Sequence, residues 1–122
     1  MYTVIVKKEF TASHQLNLAE GGLEELHEHR WIVEAAVSAA ALNERGMAID
    51  FHVIERLLME QIAGYEGKCL ENCEQFKKSG ASAEAVAREI FDQLAARLPA
   101  NRKLAWVEVT EAPNCRVRYT AG

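Results

Sequence analysis

Two segments with a helical repeat lie between two pairs of segments with a strand repeat. This order constrains the fold of the 122-residue chain more than any other feature. Tyr2 to Phe10 alternates, with Tyr2, Val4, Val6 and Phe10 on one face and Thr3, Lys7 and Glu9 mostly opposite. His27 to Leu42 alternates as well, with His27, His29, Trp31, Val33, Ala35, Val37 and Ala39 in one phase and Glu28, Arg30 and Glu34 in the other. The alanines of 35–42 would also suit a helix, but the alternation before them decides for a strand. Residues 15–26, centred on Gly21-Gly22, read as the loop between these strands, and Asn43 to Gly46 as a turn. Asp50 then reads as a helix N-cap, followed by Phe51, Ile54, Leu57, Leu58 and Ile62 at helical spacing, with Gly64 at the exit. Residues 65–81 read as irregular and polar. Ser82 is a second N-cap, with Glu84 in the first turn and Val86, Ala87, Ile90, Leu94 and Leu98 as the apolar stripe before Pro99. Leu104–Glu111 and Cys115–Thr120 are strands on either side of a turn at Ala112-Pro113-Asn114. The order ββααββ predicts an α+β fold: a four-stranded antiparallel sheet with both helices on one face.

Length predicts a single domain over residues 1–122. Hydrophobic residues at 49% and charged residues at 26% suit a globular chain, and the net charge of −4 argues against a nucleic-acid partner. No apolar run approaches the ~20 residues of a membrane span. The segment Met1 to Lys8 is too short and polar for a signal peptide, so a cytoplasmic location is expected, with Cys69, Cys73 and Cys115 as reduced thiols.

Three of the four histidines fall between residues 14 and 29. His27 and His29 are two apart on a predicted strand and project from one face. His14 lies just beyond the first strand, in phase with Val4, Val6, Phe10 and Ala12. If the two strands pair antiparallel across the 15–26 loop, all three imidazoles meet. Three imidazoles with one open position are the catalytic form of a zinc site, although nickel and iron also accept such ligands. An H-x-H pair alone is a weak signal, and the third histidine gives it weight. His52, behind a helix start, reads as an exposed helix residue. On the third strand Ala105, Val107 and Val109 form the apolar face, and Glu111 continues their parity. Glu111 is then either a carboxylate waiting for a ligand with adjacent N–H donors or a strand end opening into solvent.

Taken together, Phe10-Thr11-Ala12-Ser13-His14, Leu26-His27-Glu28-His29, Gly46-Met47-Ala48-Ile49-Asp50-Phe51, Ser82-Ala83-Glu84 and Val107-Glu108-Val109-Thr110-Glu111 have a family's order and spacing. The chain resembles the 6-pyruvoyl-tetrahydropterin synthase and 6-carboxy-tetrahydropterin synthase family over nearly its whole length. The resemblance implies the tunnelling fold, in which ββααββ subunits join sheet edge to sheet edge into a barrel. It also implies a homo-hexamer built as a dimer of trimers. It makes His14, His27 and His29 the ligands of Zn²⁺ and Glu111 the anchor of a pterin ring. It implies a lyase of tetrahydropterin biosynthesis, or of the queuosine or folate pathway, acting on 7,8-dihydroneopterin triphosphate or a close pterin. In such an enzyme zinc polarises the side-chain oxygens and a base moves the protons.

The chain also departs from the family pattern. The usual cysteine before H-x-H is absent from Gly21-Gly22-Leu23-Glu24-Glu25-Leu26, Glu28 replaces the glycine of H-G-H, and Glu66-Gly67 stands where an Asp-His pair is usual. Three readings follow. A carboxylate acts as base, with Glu25 first and Glu24 second. Alternatively Cys69 supplies a thiolate, while Cys69 and Cys73 are otherwise ordinary buried thiols. In the third reading the chain keeps zinc and pterin binding, as a binding or regulatory protein, without the chemistry.

Overall fold

A computed structural model describes residues 1–122. The elements run β1 (Tyr2–His14), β2 (His27–Ala39), α1 (Phe51–Ala63), α2 (Ala83–Arg97), β3 (Lys103–Ala112) and β4 (Cys115–Tyr119), the ββααββ order expected from periodicity. The strands form one antiparallel sheet in sequential order. β1 runs four residues beyond Phe10, because Thr11 to His14 continue in register against Arg30 to His27. β2 ends at Ala39 rather than Leu42.

The two helices lie on the face formed by Val6, Phe10, Trp31, Val33, Val37, Val107 and Val109, enclosing one core of 25 buried residues. Asp50 and Ser82 cap the helices as expected, accepting from the backbone N–H of His52 and Ala85. Phe51 departs from its place on the helical stripe. It is 57% exposed, because it is the first residue of α1 and has no preceding turn to pack against. β3 also departs from simple alternation. A register shift at Ala36/Val37 pairs Val37 with Leu104, so Leu104, not Ala105, enters the core. Residues 65–81 are less polar in effect than in composition. Two short 3₁₀ turns there bury Leu70 and Phe76, and Tyr65 and Ala81 are buried on either side of them. Burial pushes the Tyr65 hydroxyl up to about 12. No helix is long and apolar enough to cross a membrane.

The same 65–81 segment closes the outer edge of β1 at one end. Gly67 N–H donates to Thr11 O at 2.7 Å and Ser13 N–H to Lys68 O at 2.9 Å. Thr11 N–H donates to Glu66 Oε2 at 2.6 Å and Gln15 N–H to Glu71 Oε1 at 3.0 Å, so two carboxylates act as surrogate strand acceptors. The rest of that edge has no neighbouring strand.

Candidate metal centre and active site

The site stands at the loop end of the β1–β2 ladder. His14 pairs with His27, and Ala12 with His29, so the antiparallel register alone brings the three rings to one face. Their ligand atoms all lie within 4.8 Å of one another. Ring centroids are 4.4–5.1 Å apart. Trp31 forms the floor. Its ring meets His14 edge-on at 5.0 Å, stacks on Phe10 at 5.8 Å, and its indole N–H donates to Ala12 O at 3.2 Å. A buried aromatic fixed at both ends holds the rows above it in place.

A backbone carbonyl can only accept, so a ring nitrogen bonded to one must donate. His14 Nδ1 lies 2.8 Å from Ala81 O and His27 Nδ1 2.9 Å from Glu25 O. In the neutral rings both Nε2 atoms then carry bare lone pairs, yet they lie 2.9 Å apart. Glu111 Oε1, a third acceptor, lies 3.1 Å from His14 Nε2. His29 Nε2 is buried and has no hydrogen-bond partner. Burial, followed by the nearby His27 ring, lowers the His29 pKa and favours the neutral, ligating form. Three imidazoles thus converge on one point, with outward N–H bonds fixing two of the rings. This donor set fits a divalent cation held by imidazoles.

The loop that brings β1 back to β2 is a small hairpin. Glu24 N–H donates to Leu16 O, and Leu16 N–H donates to Glu24 Oε1 at 3.0 Å. Gly21 and Gly22 both take the left-handed conformation there, which residues with side chains rarely adopt. Glu24 Oε1 also approaches His27 Nδ1 at 3.8 Å. Glu25 contributes its carbonyl to His27, and its side chain is exposed. The sequence ranks Glu24 behind Glu25 as a base, and the loop brings the Glu24 carboxylate toward His27. Its signal, a bond across eight residues, lies outside any strand or helix period.

Glu111 and His29 share a cleft of about 520 Å³ with Glu28, Arg30, Thr110 and Pro113. It exists because the β2–β3 pairing reaches only as far as Ile32–Thr110, and the ends beyond diverge. Glu66 is engaged with Thr11 N–H, and His52 is 86% exposed at its side chain, away from the centre. Cys69 and Cys73 are half-buried, and burial raises the Cys73 pKa.

A four-stranded antiparallel ββααββ sheet carrying two helices, with a histidine cluster at one end, has the tunnelling fold. A family model described as 6-pyruvoyl tetrahydropterin synthase matches residues 3–122. The chain belongs to that family, whose members are pterin synthases. It is 25% identical over 128 residues to the 6-carboxy-5,6,7,8-tetrahydropterin synthase of Rickettsia conorii, covering 89% of this chain and 93% of that one. Its fold matches 6-pyruvoyl tetrahydropterin synthase of Caenorhabditis elegans with a TM-score of 0.84 at 19% identity, covering 99% and 96% of the two chains. The Plasmodium vivax 6-pyruvoyltetrahydropterin synthase matches with a TM-score of 0.79 at 16% identity, each chain covered to 98%. A variant of that Plasmodium protein at a glutamate is described as a catalytic residue mutant.

Proposed function

We propose that this chain is a zinc-dependent lyase acting on 7,8-dihydroneopterin triphosphate or a close pterin, with a carboxylate as base. The observation that carries this reading is the convergence of the three imidazoles, whose ligand atoms all lie within 4.8 Å of one another. His14, His27 and His29 would hold Zn²⁺. When bound, zinc supplies a Lewis acid that acidifies the substrate's side chain. Glu111, on the cleft wall beside His29, would accept the paired N–H donors of the pterin ring and so orient it. Glu25 is the proposed base. Its carboxylate is exposed and its backbone is tied to His27, whereas the Glu24 carboxylate is tied to Leu16. Glu24 then holds the loop that carries the base. The glutamate named catalytic in the Plasmodium relative supports a carboxylate in this role. Neighbouring copies, assembled as a hexamer in the cytoplasm, would complete the pocket.

Glu25→Ala is expected to lower turnover at least about 100-fold, with zinc content unchanged, because a general base contributes about 10²–10⁴-fold. If Glu24→Ala has that effect and Glu25→Ala does not, the two roles are exchanged. A second reading, pterin binding without turnover, is favoured by one observation. Glu66, in place of the family's Asp-His, is already bonded to Thr11 N–H. Incubating the zinc-loaded protein with dihydroneopterin triphosphate and following products by mass spectrometry separates the readings.

A further inference from the structure

Besides His29 Nε2, one other buried side-chain atom lacks a partner. Glu71 Oε2 is shielded from solvent and meets no hydrogen-bond donor. Its twin, Oε1, accepts from the Gln15 N–H at 3.0 Å and from the Cys69 thiol at 3.7 Å. No cation answers this carboxylate, because every ion pair of the chain engages another acid. Lys77 and Lys78 line the same cavity as Glu71, yet both are exposed, and Lys77 pairs with Glu74 at 3.3 Å instead. An unpaired carboxylate shielded from water is costly in a folded chain, and such a group calls for a physical reason.

The carboxylate stands behind the histidine triad. Gln15 follows His14 in the chain, so the N–H that Glu71 accepts belongs to the peptide group leaving His14. On the other side of His14, Ser13 N–H donates to Lys68 O and Ser13 bridges Cys69. Glu71, Gln15, Gly80 and Ser82 line one cavity of about 470 Å³, and Ala81, between the last two, orients the His14 ring through its carbonyl. That cavity shares no residue with the cleft of Glu28 and Glu111, so Glu71 lies outside the substrate opening. Three neutral imidazoles bring no charge to a divalent cation, which keeps its full double charge and is attracted by a fixed anion in a poorly screened surrounding. Glu111, in front of the triad, is assigned to the pterin ring in the reading above. We infer that Glu71 is a positioning residue for the metal, a shielded counter-charge that acts from behind His14. Its free oxygen is disfavoured in the empty protein and favoured once a cation is held. The inference rests on the metal reading above and adds to it a residue that is neither a ligand nor in contact with substrate.

The test uses Glu71→Gln, which keeps the shape and an acceptor for Gln15 N–H but removes the charge. Zinc affinity is measured by competition with a chromophoric chelator, and the zinc-free protein is melted in parallel. Glu71→Gln is expected to bind zinc about tenfold more weakly, as for other groups that support a metal ligand from behind. The zinc-free variant is expected to melt at the wild-type temperature or above it, because a neutral amide costs less to bury than an unpaired charge. A residue with only a structural role would move both quantities downward. Glu71→Ala, which also frees the Gln15 N–H, is expected to weaken zinc binding at least as much. Glu74→Gln removes the same charge from an exposed position paired with Lys77 and is expected to leave zinc affinity unchanged. Zinc affinity that Glu71→Gln does not alter, or a Glu71→Gln protein that is less stable or unfolded without zinc, overturns the inference and leaves the metal centre standing. A wild type that binds no zinc removes the metal reading and the inference with it.

Discussion

The β1–β2 ladder has two ends built on one geometry and used differently. At one end Val4 faces Val37 and Val6 faces Ala35 beneath the helices; at the other His14 faces His27 and Ala12 faces His29. The parity of the strands is the same throughout. The apolar end is closed by α1 and α2, and its residues are satisfied by contact. At the polar end His14 is fully buried, but its Nε2 meets only acceptors. One end stabilises the fold, and the other gathers three imidazoles whose ligand atoms lie within 4.8 Å of one another. Trp31 joins the two, with Phe10 on one side and His14 on the other.

The largest test of this contrast is Trp31→Ala. Truncating a fully buried aromatic costs about 3–5 kcal/mol, so the denaturant midpoint is expected to fall sharply and zinc affinity with it. A variant that loses stability but keeps full zinc affinity would uncouple the two ends. Next in size is the effect of the metal. At 100 times its dissociation constant zinc is expected to stabilise the wild type by about 2.7 kcal/mol. His29→Ala should lose most of that gain, since its Nε2 is the buried atom without a partner. A melting temperature that zinc does not move would remove the metal centre. The smallest effect is expected at the far end. Asp50→Ala removes the α1 N-cap and is expected to cost about 1 kcal/mol, with zinc stoichiometry unchanged. A change in zinc binding there would mean that the ends are not independent.

Much of the fold was legible because period-two and period-3.6 patterns record which side of a backbone faces apolar neighbours. Asp50 and Ser82 were legible as caps because a side-chain oxygen at a helix start has one local job. The histidine cluster was legible because strand parity and an antiparallel return are enough to bring His14, His27 and His29 together. The burial of Tyr65, Leu70 and Phe76 was not legible, since they punctuate a polar stretch with no repeat. Leu104 replaced Ala105 in the core because a bulge shifts parity by one residue, and such a shift has no local signature here. The membership of the 6-pyruvoyl tetrahydropterin synthase family rests on the match over residues 3–122.

By itself, then, the sequence determined the element order, the core faces and the three imidazoles, all of which follow from local periodicity and parity. Only the tertiary structure decided which ring nitrogens face the centre, because the acceptors that orient them, Ala81 O and Glu25 O, are backbone atoms that every residue has. It also decided that Glu24 touches His27 and that Glu28 shares a cleft with Glu111. Both depend on where a loop closes and where two strands part, and those positions are set by contacts between segments far apart in the chain.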